Sequence, residues 1–315
     1  MAITAAQVKQ LREMTGAGIM ECKKALTETN GDYDAAVEFL RKSGAAKAEK
    51  KQSRIAAEGL CYVAQEGDTK AAIVEVNSET DFVAQNAKFK AYVQNVANQA
   101  LHSSAEDLNS FMAEKWESNP EETVKESLVE LTAVISEKLS IRRFARLEEQ
   151  NGLVSSYVHG GGRISVIASA ACDNVNDEVR EALRNVCMQI AALNPKYVRE
   201  EDIPQDVRDH EKEILKAQAI NENNELPENK RKPEAIIEKM LDGRLKKEFK
   251  EICLVDQIYV KAEDGKQTVA QYLAEVGKKN NTTINLDKFV RFETGEGIER
   301  KEENFAEEVM SQIKH

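Results

Sequence analysis

A hairpin–helix pattern occurs twice in the 315-residue chain, and no other feature restricts the fold as much. In the first occurrence Leu60, Tyr62 and Ala64 alternate, Gly67-Asp68 marks a turn, and Ala72, Val74 and Val76 form an apolar return. A period of two belongs to a strand with one buried face. A helix pattern follows, with Phe89, Tyr92, Val93, Val96, Ala97 and Ala100 on one side. In the second occurrence Leu153, Ser155 and Tyr157 lead into His159-Gly160-Gly161-Gly162, Ile164–Ile167 returns, and Val179, Leu183, Val186, Cys187 and Ile190 mark the helix. Each copy starts on Gly-Leu, at Gly59-Leu60 and Gly152-Leu153. The sequence therefore predicts an α+β fold built on a diverged internal duplication. A helix over about 121–138 and a strand over Ile141–Leu147 join the copies.

The flanking segments differ in period and charge. Residues 1–55 hold ten basic and seven acidic side chains, a net +3, whereas the other 260 hold 34 and 48, a net −14. That sign change predicts a separate small module. Val8, Leu11 and Met14 form one helical stripe, Thr15-Gly16-Ala17-Gly18 breaks it, and Ile19, Cys22, Ala25 and Leu26 form a second. Asn30-Gly31-Asp32 reads as a turn and N-cap; Ala36, Phe39 and Leu40 form a third stripe, ended at Gly44. Residues 45–57 read as a polar linker or extended helix. Residues 204–250 are highly charged, with apolar spacing at Ile214, Ala217 and Ile220 and at Ile236, Ile237, Met240, Leu241 and Leu245. This predicts a projecting helical hairpin, too polar for a core element. The tail carries a strand at Phe289–Phe292, a Gly-rich turn at Thr294–Gly297, and a last helix with Phe305, Val309 and Ile313.

Composition excludes several function classes. The formal charge is −11, which disfavours a general nucleic-acid binder. Aromatic residues are 5 % and Trp occurs once, too few for a base-stacking surface. No apolar run is long enough to span a bilayer. The start, MAITAAQVKQ, lacks the basic and apolar regions of a secretory signal, and five scattered cysteines without C-x-x-C read as buried reduced thiols. The expectation is a cytoplasmic protein without disulfides, metal or cofactor.

Enzyme motifs are sparse. No phosphate-binding G-x-x-x-x-G-K-[ST] occurs and no G-x-G-x-x-G follows a strand. His159-Gly160-Gly161-Gly162 is similar to a lipase oxyanion loop, but no G-x-S-x-G nucleophile elbow accompanies it, so a Gly-rich hairpin turn is the preferred reading. The four histidines have no ligand spacing.

Two segments stand out instead. In Leu11–Leu26 the Gly-bounded turn sets Ile19 and Met20 between helices, with Arg12 and Lys23 nearby; this fits either a docking surface or ordinary helix packing. In Glu75–Ala84 the strand ends near Asn77, and Thr80 or Asp81 is a good N-cap for the next helix. Phe82 is either a core residue or a wedge beside the Asp81 carboxylate.

Those two segments, LREMTGAGIMECKKAL and EVNSETDFVAQ, resemble the signatures of the bacterial elongation factor Ts family. Further matches are Arg41-Lys42-Ser43-Gly44, Ile141-Arg142-Arg143, Tyr157-x-His159-Gly160 and the run from Arg291 to Glu299, in the family's order. The resemblance implies a non-enzymatic guanine-nucleotide exchange factor for elongation factor Tu, binding no nucleic acid or membrane. It implies a ubiquitin-associated-like three-helix docking module (1–55), a first core subdomain (56–150), a second (151–203 and 251–295), a helical hairpin (204–250) and a C-terminal helical module (296–315). Position by position, Thr80, Asp81, Phe82 and Val83 match the element that intrudes near the partner's magnesium and phosphate site. Arg12, Ile19, Met20 and Lys23 match the surface that docks on a helix of its G domain. Lys51 and Ile135 match two further contacts, and His159 matches a contact with another domain of the partner. A dimer of heterodimers is one assembly the family reading allows. Departures are Ser136, where many members have Gly, Gln85 in place of Asn or a basic residue, the three glycines after His159, and Thr294 in place of an apolar residue.

Overall fold

The computed structural model describes residues 3–299; the expected last helix with Phe305, Val309 and Ile313 lies outside them. Three helices open the chain: α1 (Ala5–Thr15), α2 (Ile19–Glu28) and α3 (Tyr33–Lys51). Thr4 and Gln7 form a capping box on α1, and Asp32 caps α3 by accepting from the Ala35 amide at 2.9 Å. Val8, Leu11, Cys22, Ala25, Leu26 and Ala36 make the small core, while Met14 departs from its expected stripe and is exposed.

Gly44 does not end α3. The helix runs seven residues further, to Lys51. Gly44 is buried, and a Cβ there would lie 3.0 Å from the Ala133 methyl. The glycine marks a close helix–helix approach, which a local reading takes for a stop signal because both uses share the missing side chain.

The first copy contains β1 (Glu58–Glu66), β2 (Lys70–Ser78), the short α4 (Asp81–Gln85), α5 (Ala87–His102), α6 (Leu108–Ala113), β3 (Lys115–Trp116), β4 (Asn119–Thr123), α7 (Val124–Ile135) and β5 (Ser140–Glu148). Residues 121–123, expected in a helix, belong instead to the β3–β4 hairpin; Thr123 and Glu126 form the capping box that starts α7 after them. The second copy contains β6 (Gly152–His159), β7 (Ile164–Ala171), α8 (Asp177–Leu193), α9 (Gln205–Glu225), α10 (Glu234–Ile252), α11 (Val269–Lys279) and β8 (Asn285–Glu293).

Each copy builds an antiparallel three-stranded sheet in the same order, β1-β2-β5 and β6-β7-β8. Helix α5 covers the outer face of the first sheet and α8 that of the second, giving two cores. The inner faces meet in a third layer of Cys61, Ala71, Ile73, Leu147, Val154, Ile167 and Phe292. The arrangement is four layers, helix–sheet–sheet–helix, in which strand alternation sends Leu60 and Leu153 outward to the helices and Cys61 and Val154 inward.

The repeat is carried into fine geometry. Gly59 pairs with Asn77 and Gly152 with Ala171; a Cβ would lie 2.2 Å from the Val76 carbonyl oxygen and 2.0 Å from that of Ala170, respectively. The pairing of the second strand with the third shifts register at the equivalent place in both copies, between Glu75 and Val76 opposite β5 and between Ser169 and Ala170 opposite β8. The turn of each hairpin accepts a hydrogen bond from the first strand of the other copy: Cys61 N–H to the Gly162 carbonyl at 2.7 Å, and Val154 N–H to the Asp68 carbonyl at 2.5 Å. Such reciprocity is what a two-fold isologous contact requires.

Helices α9 and α10 pack on each other through Leu215, Ala219, Ile237 and Leu241. The expected stripe was misplaced on α9: Ile214 and Ala217 are exposed, and Leu215 and Ala219 face the partner helix. A two-helix contact needs so narrow a seam that several registers fit the same charged sequence. At the base Ile203, Phe249 and Cys253 form a small cluster.

Candidate functional site

The chain leaves β2 into a loop held on both sides. Ser78 donates its hydroxyl to the Thr80 carbonyl at 2.9 Å, and Thr80 caps α4. Both Thr80 donors reach one carboxylate: its N–H lies 3.0 Å from Glu137 Oε2 and its Oγ1 2.7 Å from Oε1. Glu79 Oε1 accepts the Lys138 amide at 2.5 Å and Arg54 Nη1 at 3.2 Å. Lys138 Nζ donates to the carbonyls of Gln52 at 2.6 Å and Arg54 at 2.7 Å.

On this support α4 divides its side chains sharply. Val83 and Ala84 are buried in the first core, whereas Asp81 is exposed and Phe82 is 83 % exposed. Leaving a phenylalanine that open forgoes about 1.5–3 kcal/mol of burial. A bulky apolar ring therefore stands out beside a carboxylate, on backbone that is fixed from below. Val83, grouped with Phe82 in the sequence reading, packs beneath it.

The turn between α1 and α2 lies against the start of α5 and the end of α7. Gly16, at φ +69, approaches Lys88 at the start of α5 and Val134 near the end of α7; a Cβ would lie 3.1 Å from Lys88 Nζ and 3.7 Å from the Val134 methyls. Just beyond, Ile19 is 55 % and Met20 73 % exposed, and Arg12 and Lys23 are exposed on the same two helices. Glu21 pairs with Lys47 on α3, and Arg41 pairs with Glu130 on α7 at 2.8 Å. Burial and the neighbouring Arg54 hold the Lys51 ammonium below the usual lysine range. Ile135 is half-buried against the first core, and Ser136 follows in the left-handed region at φ +67. That conformation is the one glycine adopts most readily, which is the physical reason a glycine is expected at this place.

His159 belongs to the second copy. It is exposed at the end of β6, with Nδ1 3.0 Å from the Tyr157 hydroxyl. Gly160, Gly161 and Gly162 have φ of +58, +66 and +105, and the Gly162 carbonyl turns inward to accept from Cys61 N–H and Thr294 Oγ1. Thr294, a polar residue in an apolar place, is buried with its hydroxyl in that bond and 3.4 Å from Cys61 Sγ. The glycines are required by turn geometry.

The sequence reading missed the most buried charge among the described residues. Glu75 is fully buried between the sheets, 3.0 Å from Arg142 Nη1 and 2.5 Å from Arg143 Nε, and accepts the Gly295 amide at 2.8 Å. Arg143 stacks 4.2 Å over Phe292. The Ile141-Arg142-Arg143 and Arg291–Glu299 segments thus meet in one structural network. The described cysteines are all free and buried; burial pushes the Cys61 and Cys187 thiols up to about 12, away from nucleophilic thiolate. Among the described residues no cluster of His, Cys, Asp and Glu could hold a metal, and no helix is long and apolar enough to cross a membrane.

Comparison with known proteins gives a consistent match. The family model for elongation factor Ts matches residues 79–296. The chain is 50 % identical over 309 residues to elongation factor Ts of Clostridium perfringens, covering 98 % of each chain. It is 47 % identical over 313 residues to that of Clostridium tetani and 48 % identical over 312 residues to that of Clostridium botulinum, covering 99 % of each chain in both cases.

Proposed function

The chain belongs to the elongation factor Ts family, and on that premise we propose that it is the guanine-nucleotide exchange factor of elongation factor Tu, acting in the cytoplasm by binding alone. A GTPase holds GDP through backbone phosphate contacts and Mg²⁺. An exchange factor must bind the nucleotide-free form better than the GDP form, and by linkage GDP weakens the factor by the same ratio. Turning a 1:99 population into 99:1 takes about 5.5 kcal/mol of differential binding. Several surfaces must share it. Arg12, Ile19, Met20 and Lys23 dock on a G-domain helix, Lys51 and Ile135 extend that contact, and His159 anchors a second domain of the partner. Phe82 then wedges between partner elements while Asp81 disturbs the water and Mg²⁺ around the phosphates; Val83 holds α4 from below.

The observation that carries this reading is the exposure of Phe82 on an element whose backbone is tied down by Thr80 and whose underside is core. Stopped-flow release of fluorescent GDP from elongation factor Tu tests it. Phe82→Ala should slow catalysed release by about tenfold or more, the scale of a hot-spot contact, with the fold intact. An unchanged rate sinks the wedge; tight binding without any acceleration by the unaltered protein leaves a binding module only. For the docking surface, Lys23→Glu should weaken association in calorimetry, and unchanged affinity would reduce Lys23 to a solvent-facing charge.

A further inference from the structure

Phe82 has no packing of its own to fix it, so its placement comes from what holds the two ends of α4. The C-terminal side is set by Val83 and Ala84 in the first core. The N-terminal side is set by Thr80, whose backbone and hydroxyl donors both go to Glu137. Glu137 follows directly on Ser136, the left-handed residue that turns the chain back at the end of α7. Its carboxylate is therefore delivered by α7, the helix against which α3 of the N-terminal module packs through Gly44 and Arg41.

Lys138 closes a second connection. Its N–H holds Glu79, the residue before Thr80, and its ammonium holds the carbonyls of Gln52 and Arg54, the stretch that leaves α3. Arg54 returns to Glu79 through its guanidinium. The exit of the N-terminal module, the end of α7 and the start of α4 are thus tied in one ring of charge-assisted hydrogen bonds, the stronger kind. Neither Glu137 nor Lys138 needs to touch a partner for this. We propose that Glu137 and Lys138 are positioning residues for nucleotide exchange, which lock Thr80 to the seated N-terminal module so that docking of that module fixes where the Phe82 ring is presented.

The proposal rests on Phe82 as the exchange element, so both are tested together by GDP release from elongation factor Tu at saturating and at limiting factor. Loss of a correct placement costs about 10- to 100-fold in rate. Glu137→Ala is expected to lower the maximal release rate by about tenfold, with the half-saturating concentration shifted by less than about threefold, because the docking surface is untouched. Glu137→Gln, which keeps the length and one acceptor, should recover part of the loss. Lys138→Ala should lower the maximal rate in the same sense. In the double variant with Phe82→Ala, the Glu137→Ala change should add much less slowing than it causes alone, since the placed ring is then absent and only Asp81 is left to misplace. A normal rate for Phe82→Ala overturns the wedge reading and the positioning role with it. A slowed Phe82→Ala beside a normal Glu137→Ala, or full additivity of the two, overturns the positioning role alone. Circular-dichroism melting of each variant excludes unfolding; if Glu137→Ala does not fold, Glu137→Gln and Lys138→Ala carry the same comparison.

Discussion

The two copies of the hairpin–helix unit keep their geometry and diverge where charge and function are placed. Both start on a glycine that touches a carbonyl, both carry the bulge at the same step, and both cap the covering helix with asparagine, at Asn86 and Asn176. Between the second strand and that cap, however, the first copy spends seven residues, 79–85, and the second only four, 172–175. The longer passage is the one that makes α4 and exposes Phe82. The equivalent of Glu75 is Ser169, and the equivalent of the three-residue turn 67–69 is the four-residue, Gly-rich turn that presents His159. Strand pairing is repeated between the copies, and the candidate contacts Phe82 and His159 sit in the parts that are not.

The deepest difference is at the bulge, and breaking it should have the largest effect. Glu75 is buried and holds two partly exposed arginines and the Gly295 amide, so removing it takes away the one carboxylate that joins all three and leaves the arginines with their weaker ties to Glu293 and Glu296. Glu75→Ala should destabilise by about 3–5 kcal/mol. Ser169→Ala loses only contacts of 3.5 Å to Asp287 and Lys288 and should cost less than about 1 kcal/mol. Urea unfolding of the two variants reads the contrast directly; equal losses would mean that the carboxylate network adds nothing over a hydroxyl.

The shared feature comes next. Gly59→Ala and Gly152→Ala each drive a methyl into a strand carbonyl, an overpacking worth about 1–3 kcal/mol. Gly59 also sits at φ +129, so its variant should be the worse of the two. If the copies unfold as one unit through their shared inner layer, either variant lowers a single transition seen by all probes. Two separated transitions would show that the copies are held together only by their reciprocal turn contacts.

These glycines were legible in the sequence because they recur at matching places in a period-two pattern. Glu75 was not. On a strand a lone carboxylate reads as solvent-facing, but the arginines that neutralise it lie 67 and 68 residues away and the amide that also bonds it lies 220 away. Glu137 was missed for the same reason, since its bonds to Thr80 cross 57 residues. Phe82 and Met20 could be suspected, because their local positions fall on a helix start and a Gly-bounded turn. Gly44 was misread, because a close approach between helices 89 residues apart leaves the same local mark as a helix end. The seam of the α9–α10 hairpin was displaced because only a few of its apolar residues are buried. What sequence periodicity reports is the face an element turns to its neighbour; pairing across the chain leaves no period.

A third variant separates the two buried carboxylates of the first copy. Glu122 at the end of β4 accepts from Asn119 at 3.2 Å, but its second oxygen has no hydrogen-bond partner. Burial, with Glu130 nearby, raises its carboxyl above the usual range. A raised native value means that the folded protein holds the proton more tightly than the unfolded chain. Ionising Glu122 therefore costs stability, a cost absent below the unfolded value near 4.5 and complete above the raised one. Glu122→Gln should gain about 1 kcal/mol at pH 7 and nothing at pH 4. A gain that persists at pH 4 would assign it to packing, and a loss at both would show the carboxylate satisfied in solution.

The smallest effect is expected where two helix ends can be compared. Helix α7 ends on Ser136 at φ +67 and α8 on Asn194 at φ +47, both left-handed without glycine. Asparagine tolerates that region because its short amide can bond locally; serine has weaker compensation. Ser136 donates only a marginal bond of 3.5 Å to the Ala133 carbonyl, and its side chain is exposed. Ser136→Gly should therefore stabilise by about 0.5–1 kcal/mol, and Asn194→Gly by only a few tenths. The same change bears on the Glu137 clamp, because glycine keeps the turn while widening the conformations open to the next residue. If Glu137 is held chiefly by its two bonds to Thr80, Ser136→Gly gains stability with the GDP-release rate unchanged. If the rigid serine backbone helps to aim Glu137, the variant melts higher yet exchanges more slowly, and the departure at this position would then be part of how the wedge is held.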